Sequence, residues 1–197
     1  MSSLLVSLFA FVFAASFTPG PNNIMLTASG VNFGFNRTIP HMLGIIVGFP
    51  TMILLVGLGL GQVFIIFPQL HDILKWMGSL YLLFLAWKIA TAAQPKQGKR
   101  EAKPLTFLQA ALFQWVNPKG WIMSVAALAN YTTSDNSYVM QTLLVAGIFF
   151  LTSLGATTSW TFFGALIGRL LQSHLALRIF NAMMAALIVA SIVLLYL

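Results

Sequence analysis

The sequence predicts an all-α membrane protein of six transmembrane helices in a 3+3 inverted repeat, with the first and fourth helices broken by proline motifs. Three observations predict it. The 197 residues are 59% hydrophobic and only 7% charged, whereas soluble domains carry roughly 25% charged residues. A water-soluble core of this size has no charged surface to sit beneath. Six apolar runs meet or approach the roughly 20 residues that span a bilayer. Prolines interrupt two of those runs, nearly half the chain apart.

The first run, about Leu4–Val31, is interrupted at Thr18–Pro21. Its opening, MSSLLVSLFAFVFAASF, has the look of a signal peptide, but it lacks a basic leading region and TPGP is a poor cleavage context. It is read as a retained first helix. The second run, about Ile39–Gly61, carries Gly44 and Gly48 as G-x-x-x-G, which lets backbones approach closely. That contact serves either the bundle or a homodimer interface. GLGLG at Gly57–Gly61 thins the outer end, as packing or as a hinge. It is no phosphate loop, because no strand precedes it.

The third run covers about Ile73–Ala93. Asp72 and Lys75 stand one turn apart, as a surface pair or with Asp72 as a cap. Lys88 is placed to snorkel to the headgroups. The stretch TAAQPKQGKREAKPLT then reads as a solvated loop. The fourth run, about Phe107–Ala129, is interrupted at Asn117–Pro118. The fifth covers about Val139–Leu166 and the sixth about Leu177–Leu197. The chain is thus one transmembrane domain, 1–197, with repeat one at about 1–93, a loop at about 94–105 and repeat two at about 106–197.

Lys and Arg set the orientation. One side of the predicted membrane collects Arg37, Lys96, Lys99, Arg100, Lys103, Arg169 and Arg178, and the other holds Lys75. Cytoplasmic loops carry this excess, so the basic side is cytoplasmic and both termini face outward. Trp76, Tyr131, Tyr138 and Tyr196 fall near the outer ends, where an aromatic belt belongs. The net charge of +7 is therefore a topology signal that points to anionic lipid, with Arg169 and Arg178 as contacts, and away from nucleic acid. With no cysteine, three acids and three histidines, the chain holds no disulfide, thiolate site or metal cage, and no cofactor is implied.

The two breaks carry the chemistry. A proline frees a backbone carbonyl, and unwound backbone at membrane depth survives only inside protein or beside a wet cavity. Asn22, Asn23, Gln114 and Asn117 lie at the breaks and both donate and accept. The helices restarting after Pro21 and Pro118 present free N–H groups and positive dipole ends, which suit a carboxylate. Lys119 adds a full charge whose burial costs about 2.5–3.5 kcal/mol, so it should face the interior and a partner. The competing reading of NPKG is a plain kink with Lys119 snorkelling outward. Each break opens a half with two further spans, and three spans is odd, so the second half is inverted, a layout of secondary transporters. Pro118 aligns with Pro21 or with Pro19.

TPGPNN, its sequel GVNFGFNRTIPHMLGIIVGFP, the NPKGW that opens the second half and GSLYLLFLAWKI together resemble the LysE/RhtB family of amino-acid exporters, over essentially the whole chain. They are most similar to the branch exporting cysteine and O-acetylserine, or threonine and homoserine. The resemblance implies six helices, an inner-membrane location and proton-driven export. It places Pro19, Gly20, Pro21, Asn22, Asn117, Pro118 and Lys119 at the motif positions. The sequence has no membrane-embedded carboxylate, which argues against a cationic substrate.

The expected function is therefore export of a small neutral amino acid or derivative, bound between the breaks, and not enzymatic catalysis. No His-Glu-x-x-His, buried acid pair or Ser–His–Asp set is present. His41, near the cytoplasmic mouth of the second helix, is either a coupling-proton carrier or an interfacial histidine. An uncoupled channel and a non-transporting scaffold are the alternatives.

Overall fold

The computed structural model describes residues 2–67, 69–92, 103–133, 137–171, 173–193 and 196. The basic loop residues Lys96, Lys99 and Arg100 lie outside the described residues. Among the described residues nine α-helices follow one another: α1 (Ser2–Phe17), α2 (Pro21–Phe33), α3 (Phe35–Leu55), α4 (Gly61–Ile66), α5 (Gln69–Ala90), α6 (Phe107–Phe113), α7 (Pro118–Tyr131), α8 (Tyr138–Leu170) and α9 (His174–Val193). No strand occurs among the described residues.

Among the described residues four stretches are each long and apolar enough to cross a membrane: Phe35–Val63, Asp72–Ala90, Tyr138–Leu170 and His174–Val193. A fifth arises if α1 and α2, bent by 50° at their break, form one span. The apolar helix Phe107–Val116 is shorter and needs α7 to reach across. Large apolar side chains cover the outside, among them Phe9, Leu80, Trp87, Leu151 and Phe162. In lipid such a surface is the solvent-facing one, and the chain is a multi-pass membrane protein.

Proline alone does not break these helices. Pro40 and Pro50 both lie inside continuous α3. The chain breaks where the residue before proline is extended, at Gly20 (ψ 177°) and Asn117 (ψ 108°), as clash with the proline ring favours. Each proline then takes the first position of its helix, where no N–H is needed. α6 starts from a capping box in which Thr106 and Gln109 satisfy each other's backbone N–H.

Glycine sets the closest packing. α2 lies along α8 with Gly30 against the Thr161 carbonyl and Gly164 against the Thr27 carbonyl. Gly44 and Gly48 meet Phe107, Ala110 and Ala111 of α6, so the G-x-x-x-G face is used within the chain and is not available for a dimer contact. Gly57 packs on Thr142, and its carbonyl accepts from the Tyr138 hydroxyl at 2.8 Å. Gly59 turns the wide Val56–Leu60 segment with φ 126°. GLGLG is thus packing at one end and bent in its middle.

Tyr131 reaches Ser7 at 3.1 Å, and Tyr196 reaches Ser79 at 3.1 Å, tying together helix ends predicted to share the outer side. Lys75 sits 4.0 Å from the Tyr196 ring centroid, and no ion pair joins it to Asp72 among the described residues. At the other end Arg37 and Arg169 line one cavity.

Two apolar clusters form the core. One joins Met25, Met42, Ile45, Leu85 and Phe113 across α2, α3, α5 and α6. The other joins Val12, Phe49, Ile53, Ala127 and Phe149 across α1, α3, α7 and α8. The two breaks fall between them.

Gly34 joins α2 to α3 with φ 78° and ψ 172°, a region that is essentially glycine-only. A Cβ there meets nothing within 4 Å, so Gly34→Ala isolates backbone strain, worth about 1–3 kcal/mol. The expected result is a lowered apparent Tm of detergent-purified protein; an unchanged Tm would refute the strain.

Candidate functional site

The first break leaves carbonyls at Ser16, Thr18 and Pro19, and the sequence supplies donors for them. Asn23, one turn into α2, folds its amide back to the Ser16 carbonyl at 2.9 Å and the Thr18 carbonyl at 2.8 Å. Lys119, on the first turn of α7, crosses to the same place. Its Nζ donates to the Thr18 carbonyl and hydroxyl, both at 2.8 Å, and approaches the Pro19 carbonyl at 3.5 Å. Gly20 exists for this crossing: a Cβ there would stand 2.8 Å from Lys119 Cδ. The ammonium is thus paired with backbone carbonyls, which satisfies it without a carboxylate. The outward-snorkelling reading of Lys119 does not hold.

The second break is joined to the first by amides. Asn22 Nδ2 donates to Gln114 Oε1 at 2.8 Å, and Gln114 Nε2 donates back to Asn22 Oδ1 at 3.2 Å. Gln114 also donates to the Ala110 carbonyl at 2.8 Å and is fully buried. Across this break the Trp121 indole N–H reaches the Trp115 carbonyl at 2.8 Å, so the unwound backbone of each break is bridged by a nearby side chain. Asn117, buried at 3% exposure, keeps one orphan: its Oδ1 has no partner.

These residues line one cavity of about 50 Å³ between the apolar clusters. Gly20, Asn22, Asn23, Gln114, Asn117 and Lys119 all reach it. Pro19 and Pro118 shape the breaks without lining the cavity, and Pro21 starts α2 beside it. By the size of a water site, roughly 10–15 Å³ in this measure, the space holds a few waters or one small polar group. It offers an unfilled acceptor, a fixed cation and the N-termini of α2 and α7. Those ends favour a carboxylate, and the acceptor favours an ammonium.

Sequence reasoning missed the far wall. Ser153 and Thr157 of α8, with Ser16 of α1, complete the cavity; Ser16 bonds Thr152 at 3.0 Å. The four-residue spacing of Ser153 and Thr157 puts both on one helix face, and small hydroxyls on one face of an apolar helix were the available signal. Asn32 and Asn181 were missed too. They exchange amide bonds at 2.8 and 3.0 Å, and Asn181 also donates to the Ala92 carbonyl at 3.1 Å. His41 is not brought to the breaks; it lines a separate cavity.

The family described as LysE type translocator matches residues 13–197. The cysteine/O-acetylserine efflux protein of Escherichia coli strain K12 is 28% identical over 172 residues, which is 87% of this chain and 88% of that protein. The cysteine/O-acetylserine efflux protein of Shigella flexneri is 29% identical over 175 residues, 88% of this chain and 89% of that protein. No solved structure matches the chain. The match runs through both broken helices, TPGPNN and NPKGW alike, and on it the chain belongs to the LysE type translocator family, whose members are transporters and not enzymes.

Proposed function

We propose that the chain exports small neutral amino acids or their derivatives across the bacterial inner membrane, driven by the proton gradient. The observation that carries the reading is the single polar cavity shared by both helix breaks, with Lys119 of one break bonded to the unwound carbonyls of the other. In this reading a zwitterion displaces Lys119 from the Thr18 and Pro19 carbonyls with its own ammonium, and Asn117 Oδ1 takes a further N–H. Its carboxylate meets the released Lys119 and the free N–H groups opening α2 and α7. O-acetylserine and cysteine, named by the relatives, have this chemistry.

The reading takes α1 with α2 as one span and α6 with α7 as another, giving six spans as a 3+3 inverted repeat, with both termini periplasmic. The clustering of Arg37 with Arg169, and of Lys88 with Lys103, at the end opposite Lys75 supports that orientation. Arg169 and Arg178 are the proposed contacts with anionic lipid. His41 is the proposed carrier of the coupling proton, and His41→Gln should then exchange substrate without proton-driven accumulation. Accumulation equal to wild type would remove that role.

The test is accumulation of labelled O-acetyl-L-serine in proteoliposomes under an imposed proton gradient, with and without a protonophore, beside counterflow, the exchange of labelled for unlabelled substrate that a carrier performs without that gradient. Export coupled to protons predicts accumulation that the protonophore abolishes; flux indifferent to it would indicate a channel. Lys119→Gln removes a charge-assisted bond, so counterflow should fall by about tenfold or more. Membrane insertion should persist, because an insertion cost has been removed. An unchanged rate takes Lys119 out of the site.

A further inference from the structure

A second cavity lies beside the first turns of α3, where α5 ends, and it also encloses about 50 Å³. His41 lines it at 1% exposure, and neither imidazole nitrogen has a hydrogen-bond partner. A neutral imidazole carries one N–H whichever tautomer it adopts, so a buried donor is unspent. Half-buried Lys88 and exposed Lys103 line the same space. None of the described residues lining it is acidic. The remaining polar walls are already engaged: Ser29 bonds Thr38 at 2.8 Å, and Asn32 is paired with Asn181. What stays open is a set of donors around a compartment the size of one small oxyanion. Buried polar groups without partners are rare in native proteins, and this one lines a cavity that two lysines also line.

The position supplies a role. α2 lines both cavities, with Asn22 and Asn23 at the central one and Ser29 and Asn32 at this one, about 10 Å apart at the rise of a helix. Buried Met42, Ile45 and Ile46 of α3 belong to the dry cluster that also runs between them. We propose that this cavity is an oxyanion site that receives the carboxylate of an amino acid at the cytoplasmic end, one step before the central site. Lys88 and Lys103 attract the carboxylate and His41 donates to it. The loading role rests on the export reading; the binding of a carboxylate does not.

The test uses the full chain in phosphatidylcholine nanodiscs, with its histidine imidazoles labelled with ¹⁵N and the His41 signals assigned by their loss in His41→Gln. Titration with O-acetyl-L-serine should move the His41 signals saturably. Its methyl ester, which lacks the anion, should not. Lys88→Gln with Lys103→Gln should weaken the apparent affinity by about tenfold or more, whereas Lys119→Gln, at the central cavity, should leave the titration in place. Silent His41 signals, or a titration indifferent to Lys88 and Lys103, would overturn the site. Loss of the titration in Lys119→Gln would assign the response to the central cavity and overturn it equally. If phosphatidylglycerol reproduces the shift and blocks O-acetyl-L-serine, the cavity holds a lipid headgroup and the loading role is overturned. A His41 titration that persists in protein incapable of counterflow keeps the oxyanion site and removes the exporter reading instead.

Discussion

Gln114→Leu is expected to lower counterflow of O-acetyl-L-serine by about tenfold or more while costing less than about 2 kcal/mol of stability. Leucine fills nearly the volume of this fully buried side chain, so packing survives. What goes is the pair of amide bonds that holds Asn22 to the second break. Hydrogen bonds between membrane helices average about 0.6 kcal/mol each, so losing the two to Asn22, with the local one to the Ala110 carbonyl, costs just under about 2 kcal/mol. The transport effect is larger because Asn22 lines the cavity and has no other side-chain anchor among the described residues. A passenger must then find its ligands without the brace that sets the two breaks against each other, and misplacement by an ångström is costly in rate.

The double-mutant cycle separates this from a generic defect. Asn22→Ala and Gln114→Leu remove the same bond from opposite ends, so the double variant should be no slower than the worse single variant. Independent, additive losses would mean that the two amides act separately, and wild-type counterflow by Gln114→Leu would remove the brace from the mechanism altogether.

Much of this was legible in the sequence because the bilayer forces each choice into view. Apolar runs of spanning length, a one-sided basic bias and an Asn-Pro or Pro-Gly-Pro inside a span each have few physical solutions, and Asn22, Gln114 and Lys119 meet where the breaks predicted. Three things were not legible, for different reasons. Pro50 and Pro118 look alike in composition, yet only Asn117 goes extended; whether a proline breaks or rides a helix depends on what receives the freed carbonyl. The bridging of Lys119 to Thr18 required the third dimension, since a cation in an apolar run has as natural a partner in a substrate as in a backbone. The G-x-x-x-G of Gly44 and Gly48 marks a close approach but not its partner, and only the packing on α6 decides against a dimer contact. His41 was read as lying near the cytoplasmic mouth of the second helix; its burial follows from α5 and Pro104–Leu105 closing over it, which no local pattern encodes.

Gly164→Val is expected to deplete folded protein sharply, whereas Gly147→Val on the same helix is tolerated. Both substitutions carry the same helix-propensity change, so the comparison isolates packing. A Cβ at Gly164 collides with the Thr27 carbonyl and stands 2.9 Å from the Thr27 Cα; a Cβ at Gly147 meets nothing within 4 Å. The obstacle at Gly164 is backbone, which cannot rotate away, so α2 must leave α8. Overpacking of this kind costs about 1–3 kcal/mol, occasionally more. The site moves with it: Thr27 bonds the Asn23 carbonyl at 2.9 Å, and Asn23 is the residue that captures the carbonyls freed at the first break. Displacing α2 therefore loosens the wall of the central cavity from a position about two turns along α8 from Thr157, which lines it. The measurements are the apparent Tm in detergent and the counterflow rate per folded molecule. Gly164→Val should lower both, and Gly147→Val should lower neither. Equal Tm values for the two variants would mean that the α2–α8 contact is not the tight backbone seam described, and that the geometry of the first break is maintained by other means.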